Sequence, residues 1–248
     1  MSGRGPHARP PERRIAVRLA AALALTLSSL PAGAYEPAQV IDGGTIAGKV
    51  VYQGEVATRK VATTKDKEVC GQMPDQSLIV VGLDRGVQDA VVYLKDIQKG
   101  KALQKPTAGP QIDNVKCRFE PHVQVVPVGS IVIVNSDPIL HNTHAFLGKQ
   151  TVFNQALPTK GTRIEKPIKR PGMMRIECDV HAWMLAWVYA AEHPYYAVTK
   201  GDGTFSIPDV PPGSYTLVAW QEYTGETEVP VTVKPKARTQ QIIELKKK

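Results

Sequence analysis

Four side chains in this sequence have the types and spacing of a metal site. Cys178, His181 and Met184 stand at C-x2-H-x2-M in the run Cys178-Asp179-Val180-His181-Ala182-Trp183-Met184. An apparent strand, Met174 to Glu177, precedes them and another, Trp187 to Ala190, follows. A tight loop between neighbouring strands can aim all three side chains at one point. A thiolate, an imidazole nitrogen and a weak thioether suit copper, which cycles between Cu(I) and Cu(II) in a His2Cys site with a distant axial methionine. Such a site needs a second histidine from elsewhere. His141 is the candidate, in Asn135-Ser136-Asp137-Pro138-Ile139-Leu140-His141-Asn142-Thr143-His144. Taken singly, a cysteine or a methionine is usually core filler, and only the combination points to a metal. A structural zinc site wants four strong ligands, and this set offers three and a thioether.

The elements that must position these residues are strands. Val50 to Tyr52, Ser77 to Val81, Ala90 to Leu94, Val123 to Val126, Ile131 to Val134, Tyr215 to Trp220 and Val229 to Val233 are further short apolar or β-branched runs. Gly, Pro, Asp or Asn separates most of them. After residue 34 no long stretch has apolar residues at helical spacing. The expectation is an all-β chain built as one or two sandwiches. His144 lies three residues after His141, and on an extended strand that odd spacing sends the two to opposite faces. His144 therefore reads as a supporting or structural group, and His122 and His193 as structural.

The stretch Phe119-Glu120-Pro121, Val128-Gly129, Val134-Asn135 and His141-Asn142, followed by Gly172 and Cys178-x2-His181-x2-Met184, resembles a cupredoxin. These are small blue copper proteins with a Greek-key sandwich, and the short ligand loop is closest to the amicyanin branch. The resemblance covers about 80 residues, within 112–193. It implies His141, Cys178 and His181 as equatorial ligands of one copper and Met184 as the axial one. It also implies that Asn142 ties the histidine strand to the cysteine loop. A dinuclear copper centre would carry cysteines where this chain has Glu177 and Met173. Trp183, between two ligands, either belongs to a docking patch for a redox partner or packs inward and shields the metal. His181 is the edge at which a partner would dock.

Residues 197–220 resemble a second family, the carboxypeptidase regulatory-like domain, a transthyretin-like sandwich. The matching features are Gly201-Asp202-Gly203-Thr204-Phe205, read as a hairpin turn and strand, and Pro211-Pro212-Gly213-Ser214-Tyr215, a second turn and strand. The strands that usually open that domain are found far upstream, in Gly44 to Val50 and Gln88 to Leu94. The expected architecture is a Greek-key cupredoxin sandwich, 112–193, inserted into or packed on a small transthyretin-like sandwich made of 43–100 and 195–248. Alternatively, 43–100 adds strands to the copper sandwich. Cys70 and Cys117 are then the expected disulfide, stapling the inserted module to the outer one. Two free thiols, or one thiol in another metal site, are the alternatives. An odd cysteine count in an exported chain fits one bridge and one cysteine with another task.

Export is read from the first 34 residues. Arg9, Arg13, Arg14 and Arg18 precede the apolar run Leu19 to Leu30 and the small-residue site Ala32-Gly33-Ala34, the pattern of a cleaved signal peptide. Removing its five Arg and one Glu from the 31 basic and 23 acidic side chains leaves 26 and 22, a net charge of +4. That is far from a nucleic-acid footprint. No stretch reaches the 18 or so unbroken apolar residues of a membrane span, so no stable membrane insertion is expected once the leader is cut. No nucleophile–base arrangement is visible, so no enzyme activity is expected. The functional expectation is a periplasmic or envelope copper protein, one Cu per chain, passing single electrons to and from a redox protein. Copper storage or delivery, or an envelope adhesion module, are the alternatives.

Overall fold

Strand formation follows the apolar alternation. In Gly129–Asn135, Ile131 and Ile133 point into a core while Ser130 and Val132 stay half-buried, the period-2 signature of a strand covered on one face. The computed structural model describes residues 1–3, 34–104 and 106–247. The expected signal peptide lies almost wholly outside the described residues. The described chain is all-β apart from one-turn helices at Lys67–Cys70 and Leu83–Arg85.

One sandwich lies between residues 111 and 191. Its four-stranded sheet runs Arg163–Ile168, Gly129–Asn135, Gln111–Val115, Arg118–Glu120. Its five-stranded sheet runs Gln150–Leu157, His141–Leu147, Gly172–Glu177, Leu185–Ala191, Val123–Pro127. Gly129–Asn135 pairs in parallel with Gln111–Val115, and Leu185–Ala191 in parallel with Val123–Pro127. Parallel neighbours need long connections that cross between sheets. Ile112, Ile131, Ile133, Leu157, Met174, Ile176 and Val188 from both sheets form one buried cluster.

A second sandwich draws on both flanks of the chain. Val91–Lys95 pairs with Tyr196–Val198 and Gly213–Gln221, and Gly213–Gln221 with Gly225–Val233. Opposite them, Gly44–Tyr52 is the central strand between Thr204–Val210 and Arg238–Leu245. Ile46, Val50, Leu94, Ile207, Leu217 and Ile243 fill the space between. Among the described residues, Gly44–Tyr52 pairs with no strand of the 111–191 sandwich.

Two local readings change. Gly201-Asp202-Gly203 does not join paired strands; it carries the chain from one sheet of this sandwich to the other. Lys200 N–H donates to Thr204 O and Gly203 N–H to Lys200 O, while the Asp202 carboxylate accepts the Thr204 N–H and hydroxyl. Gly203 has φ +80°, and a Cβ there would meet Val50 O at 2.5 Å, so glycine is required. Within Ser77 to Val81, only Ser77 lies in a paired strand, Gln76–Ser77; Ile79 is buried while Val80 is exposed, as alternation demands, and beyond Ser77 the pairing is reduced to single contacts, among them an isolated bridge between Val81 and Val87.

Residues 58–77 form a strap. Its ends, Thr58–Arg59 and Gln76–Ser77, pair with each other. Its buried residues Val61, Cys70 and Met73 join the core of the 111–191 sandwich, and Cys70 is disulfide-bonded to Cys117. The two sandwiches meet at Val91, Val123 and Trp220 with Tyr93, Trp187 and Tyr189 packed around them. The rings of Trp187 and Trp220 are 4.9 Å apart and those of Tyr93 and Tyr189 4.6 Å.

Candidate metal centre

The loop before His141 is built by its own polar side chains. Asn135 Oδ1 accepts the Asp137 N–H at 3.0 Å, an Asx turn, and Asn135 Nδ2 donates to the carbonyls of Ile139 and Leu157 at 2.9 Å. The turn places Asp137 inside the sandwich. There its carboxylate accepts the Lys116 and Cys117 N–H groups at 2.7 and 2.8 Å. The chain then enters the strand His141–Leu147 with His141, Asn142 and Thr143 all buried. Cys178 follows the next strand, Gly172–Glu177, and the loop closes where Met184 N–H donates to His181 O at 2.9 Å. Cys178, His181 and Met184 are each at most 2% exposed.

Three donor atoms converge. Cys178 Sγ lies 4.0 Å from His141 Nδ1 and 3.9 Å from His181 Nδ1, and the two Nδ1 atoms are 3.1 Å apart. A point equidistant from all three sits about 2.2 Å from each, within the roughly 2.0–2.3 Å at which imidazole nitrogen and thiolate sulfur bind a small divalent ion. The far side of each ring is tied down. His141 Nε2 donates to Asp137 Oδ2 at 2.9 Å and His181 Nε2 to Asp66 Oδ2 at 2.8 Å. A carboxylate only accepts, so each Nε2 carries its ring's hydrogen and each Nδ1 presents a lone pair. Two lone pairs facing each other at 3.1 Å beside a buried sulfur make a donor set of the kind that can hold a cation. Burial pulls the His141 pKa below its ordinary value, against the pull of Asp137, so the ring stays neutral and free to ligate.

Around this triangle Asn142 joins strand to loop. Its Oδ1 accepts the Asp179 N–H at 2.7 Å, with Cys178 Sγ 3.4 Å away, and its Nδ2 donates to Asp179 Oδ2 and Asn154 Oδ1. His144 is not part of the triangle. Its ring meets Asp179 at 3.1 Å and Thr151 at 3.1 Å. His122 sits at the boundary between the sandwiches, with Nε2 2.8 Å from Glu222 Oε1.

One expectation is corrected and one open alternative is decided. His181 is fully buried and its outer nitrogen is covered by Asp66, so it offers no edge to a partner. Trp183 is 6% exposed and donates its Nε1–H to Cys117 O at 3.1 Å; it packs inward and offers no docking face. A second cluster, Cys117 with Asp137 and His141, is not a metal site, because Cys117 is spent in the disulfide. Asp66 and Asp137 were not found from the sequence. The one available signal was Asp137 in the turn sequence Asn135-Ser136-Asp137-Pro138 before His141.

The family model for polysaccharide lyase family 4, domain II, matches residues 176–241. No curated protein matches the chain. Among solved structures, similarity is found to a purple cupredoxin from Nitrosopumilus maritimus, at 23% identity over 33% of this chain and 99% of that one, with a TM-score of 0.30. An amicyanin from Paracoccus versutus is 17% identical over 35% of this chain and 84% of that one, TM-score 0.31. A copper-containing nitrite reductase from Thermus scotoductus is 24% identical over 38% of this chain, TM-score 0.30. The match spans only 24% of that reductase chain.

Proposed function

We propose that this chain is an exported mononuclear type 1 copper protein that carries single electrons between redox partners. The observation that supports this most is the triangle of Cys178 Sγ, His141 Nδ1 and His181 Nδ1, buried and preset at metal-binding separations. Copper held there would supply a one-electron Cu(I)/Cu(II) couple. The residues do the rest. Asp137 and Asp66 hold both rings with Nδ1 inward, so the donors need not reorganise. Asn142 fixes Cys178 by holding the backbone of Asp179. Met184, buried in the same loop, would be a fourth, weaker donor. Trp183 and the strap exclude water from the thiolate.

The flanks, 43–100 and 195–248, read as a discontinuous transthyretin-like support with no catalytic task. Among the described residues no helix is long and apolar enough to cross a membrane; export to the periplasm or envelope is proposed from the leader. Storage or delivery of copper would use the same donors. Their complete burial under a disulfide-bonded strap favours retention over hand-over.

The test is a copper titration of residues 35–248 followed by visible absorption and electron paramagnetic resonance. The expected result is an intense thiolate-to-copper band saturating at one copper per chain and absent in Cys178→Ala. Tight Cu(I) binding without the Cu(II) band would favour storage. No binding by the wild-type chain would overturn the reading.

A further inference from the structure

The strap contributes more than cover, because one of its side chains reaches a proposed ligand. Asp66 lies 115 residues from His181 in sequence, yet its Oδ2 accepts the His181 Nε2–H at 2.8 Å. Its backbone has φ +49° and ψ +42°, a left-handed conformation that aspartate tolerates better than most residues. The turn it begins is short and anchored. Asp66 O accepts the N–H groups of Val69 and Cys70 at 3.0 and 2.8 Å, and Cys70 is bonded to Cys117. Cys117 in turn receives Trp183 Nε1–H from the ligand loop. At the strap's other end, Arg59 Nη2 and Gln76 Nε2 both point at Trp183 O, at 3.4 and 3.5 Å. The strap thus grips the ligand loop at the His181 ring, at the Trp183 backbone and through the disulfide.

The two histidines are therefore held alike by carboxylates from different places. Asp137 belongs to the same sandwich as His141, whereas Asp66 is brought from outside it. We propose that Asp66 is a positioning residue for the metal centre: through His181 it fixes the ring with Nδ1 inward and adds negative charge that favours Cu(II) over Cu(I). This rests on the copper reading above. A carboxylate on the outer nitrogen makes the imidazole a stronger donor, and an added negative charge nearby stabilises the higher oxidation state. Both effects lower the reduction potential. The strap, with its disulfide, then sets the potential of a centre to which it gives no ligand.

The experiment measures the midpoint potential and copper affinity of the full copper-loaded chain in four variants. Asp66→Asn and Asp66→Ala should raise the midpoint, and Asp66→Ala should lose about ten- to a hundred-fold in copper affinity. Asp66→Glu should stay near the wild type. Asp75→Asn, which removes the same charge from the strap without touching a histidine, should leave the midpoint unchanged. Unfolding curves of each variant separate a lost fold from a retuned site. Equal midpoints in wild type, Asp66→Asn and Asp75→Asn, with the copper band intact, would overturn the role of Asp66 alone. A wild-type chain that never develops the band would overturn the copper reading and this proposal with it.

Discussion

At the scale of single residues, chemistry depends on which nitrogen of each imidazole is free. Asp137 decides this for His141, and it does so while also holding two backbone N–H groups. Asp137→Ala should leave three donors unpaired, two of them, the Cys117 N–H and the His141 Nε2–H, buried, costing about 2 kcal/mol or more. Copper affinity should fall by about ten- to a hundred-fold as well. Urea unfolding and a Cu(I) competition assay check the two parts separately. The four proposed donors were legible in the sequence because Cys178, His181 and Met184 are packed into seven consecutive residues, and His141 is flanked by a distinctive asparagine. The carboxylates behind them were not. Aspartate is common, and nothing local distinguishes Asp66 from Asp75; only the folded chain brings one of them to His181. Exposure was also illegible. Trp183 sits in a loop between strands, where exposure is the usual outcome, yet the strap closes over it.

At the scale of elements, the strap and the ligand loop behave as one unit. The disulfide between Cys70 and Cys117 closes a separation of 47 residues. In the chain-entropy model it restricts the unfolded state by about 4 kcal/mol. The double variant Cys70→Ser with Cys117→Ser should therefore unfold at markedly lower denaturant, and proteases should cut it first within 58–77. A melting midpoint equal to the wild type, with the strap still resistant, would contradict this. The strands themselves followed from alternation, and the all-β class with them. The turns at Gly201-Asp202-Gly203 and Pro211-Pro212-Gly213 were legible as turns but not as crossings between sheets, because turn chemistry fixes local direction and not which strand becomes the neighbour.

At the scale of the whole molecule, Glu222 couples the two sandwiches. It accepts both His122 Nε2–H and Trp187 Nε1–H, at 2.8 and 2.6 Å. Desolvation pulls the His122 pKa down, but the Glu222 hydrogen bond and charge outweigh it and leave the value raised above 6.5. A histidine raised in the folded state contributes stability that is fully present below its unfolded value near 6.5 and is lost as pH rises through the folded value. Thermal stability should fall between mildly acidic and mildly alkaline pH in the wild type, and this component should vanish in Glu222→Gln. An unchanged pH profile in that variant would remove the coupling role.

The pairing of Gly44–Tyr52 with strands that begin at Thr204 and Arg238 has a consequence in time. A chain made from its N-terminus presents this apolar central strand first and its partners last. The 111–191 sandwich, with all its own strands in hand by Ala191, can close while the earlier strand still waits. The waiting strand is the segment most open to wrong pairing. A version of the gene reordered so that 195–245 directly precedes 43–100 would shorten that wait, and its yield of folded protein relative to the natural order would measure how much the interruption costs.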